Sequence, residues 1–216
     1  MPPTVLVAAA VCSRKIAVEA LFRGQVTGVI DVGAADGYPV TSLALSREAK
    51  WVLSCENSPK YNRLRRLSGP GFHHINLLPG NSRRNPSIIH VLHTANITGD
   101  AGDVRKKTFI SRGTISLIAI RGKESDAFLE GAVPILPAVN NVLLEISADR
   151  NASSALHILF NAGFECAHLA FNHKGKVHPF FGRNSINAES AGQFLQFMAK
   201  HAKFVDVLCS KRATTG

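Results

Sequence analysis

The sequence predicts an α/β domain: seven short strands forming a mostly parallel sheet, with helices against its faces. Three observations carry that expectation. Apolar, β-branched runs alternate with helical stretches along the 216 residues, the pattern of successive βαβ units. The runs Gly28–Val32 and Ile115–Ile120 are almost wholly apolar, as strands covered on both faces are. The first of them carries Asp31 near its end and opens into Gly33-Ala34-Ala35-Asp36-Gly37, a small-residue turn leading to a helix.

Each element follows from local chemistry. Ser13 to Phe22 reads as a helix that stops before Gly24. Strand Gly28–Val32 leads through the glycine turn to Pro39, whose fixed φ suits the first turn of a helix reaching about Ala49. Trp51–Cys55 is a second strand, with Glu56 at its tip. Tyr61, Leu64 and Leu67 recur at helical spacing, giving a helix over Pro59–Leu67 that Gly69-Pro70-Gly71 breaks. His73–Leu78 is the third strand, closed by Pro79-Gly80, and residues 81–113 are polar and poorly periodic, so loops are expected there. Ile115–Ile120 and Asn141–Ile146 are strands four and five, with a helix over Ser125–Ala132 between them. A helix over Ala152–Ala162 ends at Gly163, which fits a left-handed C-terminal cap. Phe164–Phe171 and Phe204–Cys209 are the last two strands, separated by a helix over Ala188–His201. With no internal repeat and no clear linker, residues 1–216 read as one domain.

Composition bounds the function. An apolar content of 45% with 19% charged residues fits a globular protein. No apolar run approaches the roughly 20 residues that span a bilayer, so no membrane span is expected. The expected compartment is the cytoplasm; a targeting role for the first residues is left open, because Arg14, Lys15 and Arg23 face only Glu19. Cys12, Cys55, Cys166 and Cys209 are scattered, without CxxC pairs or zinc-ligand spacing, so they read as buried free thiols and no metal is expected. The net charge of +10, spread over small groups such as Arg63, Arg65, Arg66 and Arg105, Lys106, Lys107, either attracts an anionic partner such as nucleic acid or is simply solvated. Charge gives no oligomeric state.

A strand ending Asp-x-Gly-x-x-x-Gly and feeding a helix lets backbone pass close to a ligand, in the crevice beyond the strand ends. The helix N-terminus then supplies amide donors for a carboxylate, here that of a methionine moiety, while Asp31 reaches an amino group or an ordered water. Glu56, one βα unit further on, is placed to accept both hydroxyls of an adenosine ribose. Asn57 contacts the adenine or starts the next turn, and Asn81 meets the adenine edge. The rival phosphate-binding signatures are missing: the spacing is not Gly-x-Gly-x-x-Gly, and no Gly-Lys-Ser or Gly-Lys-Thr occurs. The cofactor-binding set is therefore Asp31, Gly33, Ala34, Ala35, Asp36, Gly37, Glu56, Asn57 and Asn81, and the cofactor S-adenosyl-L-methionine.

Over residues 25–170 these motifs resemble the FkbM-type methyltransferases. Val29-Ile30-Asp31-Val32-Gly33-Ala34-Ala35-Asp36-Gly37-Tyr38 is similar to that family's first motif, and Cys55-Glu56-Asn57-Ser58-Pro59 with Leu64-Arg65-Arg66 to its second. Leu117-Ile118-Ala119-Ile120-Arg121-Gly122-Lys123-Glu124 stands where the family has KIDVEGxE, and Val142-Leu143-Leu144-Glu145-Ile146 matches its next strand. The resemblance implies the class I methyltransferase (Rossmann-like) fold, a three-layer sandwich whose seven-stranded sheet has one antiparallel strand. It also implies methyl transfer to oxygen, with a small-molecule or glycan-type acceptor. The departures fall in the third motif, where two of the family's acids are replaced by Ala119 and Arg121. The acceptor-side candidates are Glu124 and Glu145 as bases and Arg121 as a holder of an anionic acceptor group. Loss of the acids admits a second reading, a catalytically inactive protein of this fold serving as a basic module for nucleic acid or protein.

Overall fold

A computed structural model of the chain describes residues 13–56, 67, 72–76, 114–121, 125–147, 150–169, 171–173, 176–178, 185–201 and 204–211. Its seven-stranded sheet has the order β3-β2-β1-β4-β5-β9-β6, formed by β1 (Gly28–Val32), β2 (Trp51–Glu56), β3 (Phe72–Asn76), β4 (Ile115–Ile120), β5 (Asn141–Ile146), β6 (Phe164–His168) and β9 (Val205–Lys211). The pairs from β3 through β5 are parallel. The last strand, β9, inserts between β5 and β6 and runs antiparallel to both. The central strands alternate side chains between two apolar layers, which is why they carry almost no polar residues outside their carboxyl ends.

Helices α1 (Ser13–Leu21) and α2 (Val40–Ser46) lie on one face, where Val18, Phe22, Val40 and Ala44 pack on Val29, Val52, Leu117 and Leu143. Helices α3 (Ser125–Ala132), α4 (Arg150–Asn161) and α5 (Ala191–His201), with the 3-10 helix Val133–Ala138, cover the other. There Leu129, Leu136, Leu156 and Met198 meet Ile30, Ile118, Val142 and Leu144. This is the three-layer α/β architecture the sequence predicts, with the antiparallel strand that the resemblance implies.

The differences are local. Strand β6 stops at His168, and one further bond, from the Leu169 N–H to the Asp206 carbonyl (2.7 Å), continues its register with β9. Phe171 therefore belongs to a separate two-stranded ribbon, β7 (Phe171–His173) with β8 (Lys176–His178). Helix α2 begins at Val40, with Pro39 as its cap residue, and ends at Ser46. The expected helix over Pro59–Leu67 and the loops of 81–113 lie outside the described residues, apart from Leu67. Two cysteines are not free thiols: Cys166 and Cys209 stand opposite each other on β6 and β9 and form a disulfide. Their spacing in the chain gave no sign of this, because antiparallel register brings together residues 43 apart. Cys55 is free and buried.

Candidate active site

Because side chains alternate along a strand, Glu56, Asp31 and Arg121, at the carboxyl ends of β2, β1 and β4, share one face with Glu145 of β5 and Asp206 of β9. It is the face covered by α1 and α2, and the sheet edge where open α/β folds bind ligands.

The glycine turn is built against the neighbouring strands. Gly33 N–H and Ala34 N–H both donate to the Cys55 carbonyl (2.9 and 3.1 Å), pinning the start of the turn to β2. Gly33 has φ +66°, and a Cβ there would stand 2.6 Å from the Arg121 carbonyl oxygen, so the position excludes every side chain on two counts. Ala35 also has positive φ, at 54°, and Gly37 has φ 83°. Gly37 N–H closes the turn onto the Ala34 carbonyl (2.8 Å), and the Asp36 carboxylate accepts the Tyr38 N–H (3.1 Å). Glu56 is buried, and its carboxylate turns back onto the loop to accept the Ala35 N–H at 2.6 Å. The acid at the tip of β2 thus faces the turn, as the sequence reading requires.

Asp31 is fully buried. Its Oδ2 accepts from the Thr41 hydroxyl (2.7 Å) and the Thr41 N–H (3.3 Å). With its proton given to Asp31, the Thr41 hydroxyl accepts from Ser54 (3.0 Å). Burial pushes the Asp31 carboxyl up from its usual range, against Thr41, Arg121 and Arg14, which favour the charged form. Its other oxygen, Oδ1, has no donor among the described residues.

This arrangement corrects the expectation for α2. Two amides of its first turn are spent inside the protein: Thr41 N–H on Asp31 and Ser42 N–H on the Gly37 carbonyl (2.9 Å). With only seven residues, α2 holds the turn and its acid in place; it does not present its end to a carboxylate.

On the other side of the turn, the Arg121 N–H donates to the Val32 carbonyl (2.9 Å), and its guanidinium crosses the loop to donate from Nη2 to the Tyr38 carbonyl (2.8 Å). Glu145 joins a charged pair at the ends of β5 and β9. It stands directly across from Asp206, and both acids face Arg14 of α1: Nη1 lies 2.9 Å from Asp206 and 3.7 Å from Glu145. Two like charges opposite each other on antiparallel strands repel, and Arg14 offsets that repulsion. Burial pushes the Asp206 carboxyl up and the Arg14 guanidinium down from their ordinary values, while their mutual attraction opposes both shifts. Arg14, Thr41, Ser54 and Asp206 carry no motif; the sheet register and the seating of α1 bring them to the site.

Asn57, Asn81 and Glu124 lie outside the described residues. Cys55 is no nucleophile, since burial first, then Asp31 and Glu56, push its thiol up to about 12. Among the described residues no group of three or more His, Cys, Asp or Glu side chains is placed to hold a metal ion, and no helix is long and apolar enough to cross a membrane.

The strand order and the single antiparallel strand are those of the class I, Rossmann-like methyltransferase fold. No family model matches the chain, and no curated protein matches it significantly. Among solved structures, the chain is similar to a precorrin-6y C5,15-methyltransferase from Geobacter metallireducens, at 11% identity over 93% of this chain and 87% of that one, with a TM-score of 0.46. A Streptococcus pneumoniae protein solved with S-adenosyl-L-methionine gives 14% identity, 94% and 75% coverage and a TM-score of 0.48. A TehB-like SAM-dependent methyltransferase from Corynebacterium glutamicum gives 13%, 92%, 87% and 0.43. These are likenesses of chain path alone.

Proposed function

We propose that the chain, read as one domain over 1–216, is an S-adenosylmethionine-dependent methyltransferase of FkbM type that methylates an oxygen of a small-molecule or glycan-type acceptor. The observation that carries this is the Glu56 carboxylate at the tip of β2, turned onto the Gly33–Gly37 turn at the tip of β1. The residues present fit the cofactor. The turn is a backbone surface with small or absent side chains at Gly33, Ala34, Ala35 and Gly37. Buried Asp31 Oδ1 has no donor among the described residues, which suits a cationic or hydrogen-bonding group beside it. In this reading Glu56 holds the ribose hydroxyls, the turn passes along the adenosyl amino acid, and Asn57 and Asn81 lie toward the adenine. Asp36, bonded to the Tyr38 N–H, fixes the turn.

When bound, the cofactor supplies a methyl group on a sulfonium, ready for in-line transfer; the protein's work is alignment and proton removal. Glu145 and Glu124 are the candidate bases for an acceptor hydroxyl, and Arg121 a holder of its anionic group. Isothermal titration with S-adenosylmethionine tests the pocket: binding is expected, and no heat at millimolar ligand would overturn the reading. Glu56→Ala should weaken that binding by about 1–3 kcal/mol.

One observation favours the second reading, an inactive basic module. Arg121 replaces an acid at the end of β4 and is engaged across the turn with Tyr38. That reading requires nucleic-acid binding that falls steeply with added salt, and a flat salt response would end it.

A further inference from the structure

The first turn of α1 brings an arginine where the sheet already carries one. Arg14 is largely buried, its side chain 11% exposed, and it reaches Asp206 and Glu145 through Nη1 alone. Its Nε and Nη2 donate to no acceptor among the described residues, and neither does Nε of Arg121. In a planar guanidinium, Nε–H and the near N–H of Nη2 lie side by side on one edge. Their spacing matches the two oxygens of a carboxylate or phosphate. Arg14 therefore keeps a bidentate edge buried without a partner among the described residues, and such groups in native structures call for one.

The surroundings narrow the ligand. Arg14 and Arg121 are close enough to repel each other, and an anion between them relieves that repulsion. The same cluster sets three carboxyl groups, Asp31, Glu145 and Asp206, against the two guanidiniums, and burial favours the neutral forms of Asp31 and Asp206, so a doubly charged phosphate is opposed more strongly than a singly charged carboxylate. Two amides of the first turn of α2, Thr41 and Ser42, which could serve an anion at this sheet edge, are already used by Asp31 and Gly37.

We infer that Arg14 and Arg121 together form a carboxylate-binding site at the carboxyl ends of β4, β5 and β9, with the Nε/Nη2 edge of Arg14 as its main contact. The site deepens the proposed function and rests on it for the carboxylate's source. That source is either the amino-acid end of the adenosyl cofactor or an acid group on the acceptor.

The test uses the full chain and two nucleosides that differ in the amino-acid end that carries this group. S-adenosylhomocysteine has the amino-acid carboxylate; 5′-methylthioadenosine ends in a methyl thioether without it. Arg14→Lys keeps the charge facing Asp206 but loses the bidentate edge, and Arg121→Lys loses the second free donor; circular dichroism checks that both fold. If the carboxylate is the cofactor's, Arg14→Lys weakens S-adenosylhomocysteine roughly 10- to 100-fold and leaves 5′-methylthioadenosine unchanged, with a smaller fall for Arg121→Lys. If it is the acceptor's, both nucleosides bind Arg14→Lys as they bind the parent. Sodium acetate then raises the melting temperature of the nucleoside-saturated parent but not of the variant. Equal responses of parent and Arg14→Lys to all three probes overturn the site. Should neither nucleoside bind the parent, the methyltransferase reading fails, while an acetate stabilisation that depends on Arg14 still upholds the carboxylate site.

Discussion

At the scale of single residues, the glycine turn separates two reasons for glycine that sequence alone merges. Gly33 and Gly163 both have positive φ, +66° and +82°, but a Cβ at Gly163 meets nothing within 4 Å, whereas at Gly33 it meets the Arg121 carbonyl at 2.6 Å. Gly163→Ala should therefore cost only the conformational term, about 1 kcal/mol. Gly33→Ala should cost about 3 kcal/mol, because β1 and β4 must part to admit the methyl. Urea unfolding of the two variants checks the contrast, and equal losses would mean that the turn relaxes freely. Thr41→Val gives a third residue-scale outcome. It removes the hydroxyl donor from buried Asp31 and should destabilise by about 1–3 kcal/mol, where a typical exposed Thr→Val change would be nearly silent. Asp31, Gly33, Gly37 and Glu56 were legible in the sequence because a strand end, a turn and the next strand end lie close along the chain. Arg14, Thr41 and Asp206 were not, since nothing local marks a residue whose partners arrive from 10 to nearly 200 positions away.

At the scale of elements, strands β1, β4 and β5 could be read directly, because burial on both faces leaves a nearly continuous apolar run. The β7–β8 ribbon and the end of β6 could not, because three-residue strands have no period to read and the apolar run passes through the end of β6 without a break. The β9 strand carries two consequences. It is stapled to β6 by the Cys166–Cys209 disulfide, closing a 43-residue separation, so replacing both cysteines by alanine should lower stability by about 3–4 kcal/mol. Thiol counting under denaturing conditions, with and without reductant, should show this pair appear only after reduction. β9 also places Asp206 opposite Glu145, and the pH response follows from its shift. The folded Asp206 carboxyl titrates above its ordinary value of 3.8, so between those two points the folded state binds more protons than the unfolded one. Its contribution to stability is fully present below the ordinary value and is lost as pH rises through the raised one. Asp206→Asn should flatten that decline in a series of melting curves. An unchanged slope would show that Asp206 titrates as an ordinary exposed acid.

At the scale of the whole molecule, the candidate site joins elements from both halves of the sheet. β1 and α2 supply the turn and its acid, β2 supplies Glu56, β4 supplies Arg121, and the pair β5–β9 meets α1 at Arg14. A ligand seated there bridges strands on both sides of the central β1–β4 pair, so its binding should stabilise the fold globally and not just order a loop. With S-adenosylhomocysteine at about 100 times its dissociation constant, mass action adds about 2.7 kcal/mol. For a chain of this length that is a rise of roughly 5–10 °C in melting temperature. Glu56→Ala, if it weakens binding about 30-fold, leaves under about 1 kcal/mol at the same ligand concentration, and the rise should shrink to about 2–3 °C. Two losses must be kept apart. The variant also gives up the bond that Glu56 makes to the Ala35 amide, which lowers the melting temperature without ligand, so the measured quantity is the ligand-induced increment in each protein. A full increment in Glu56→Ala would place the ribose elsewhere and leave Glu56 with the single task of holding the turn.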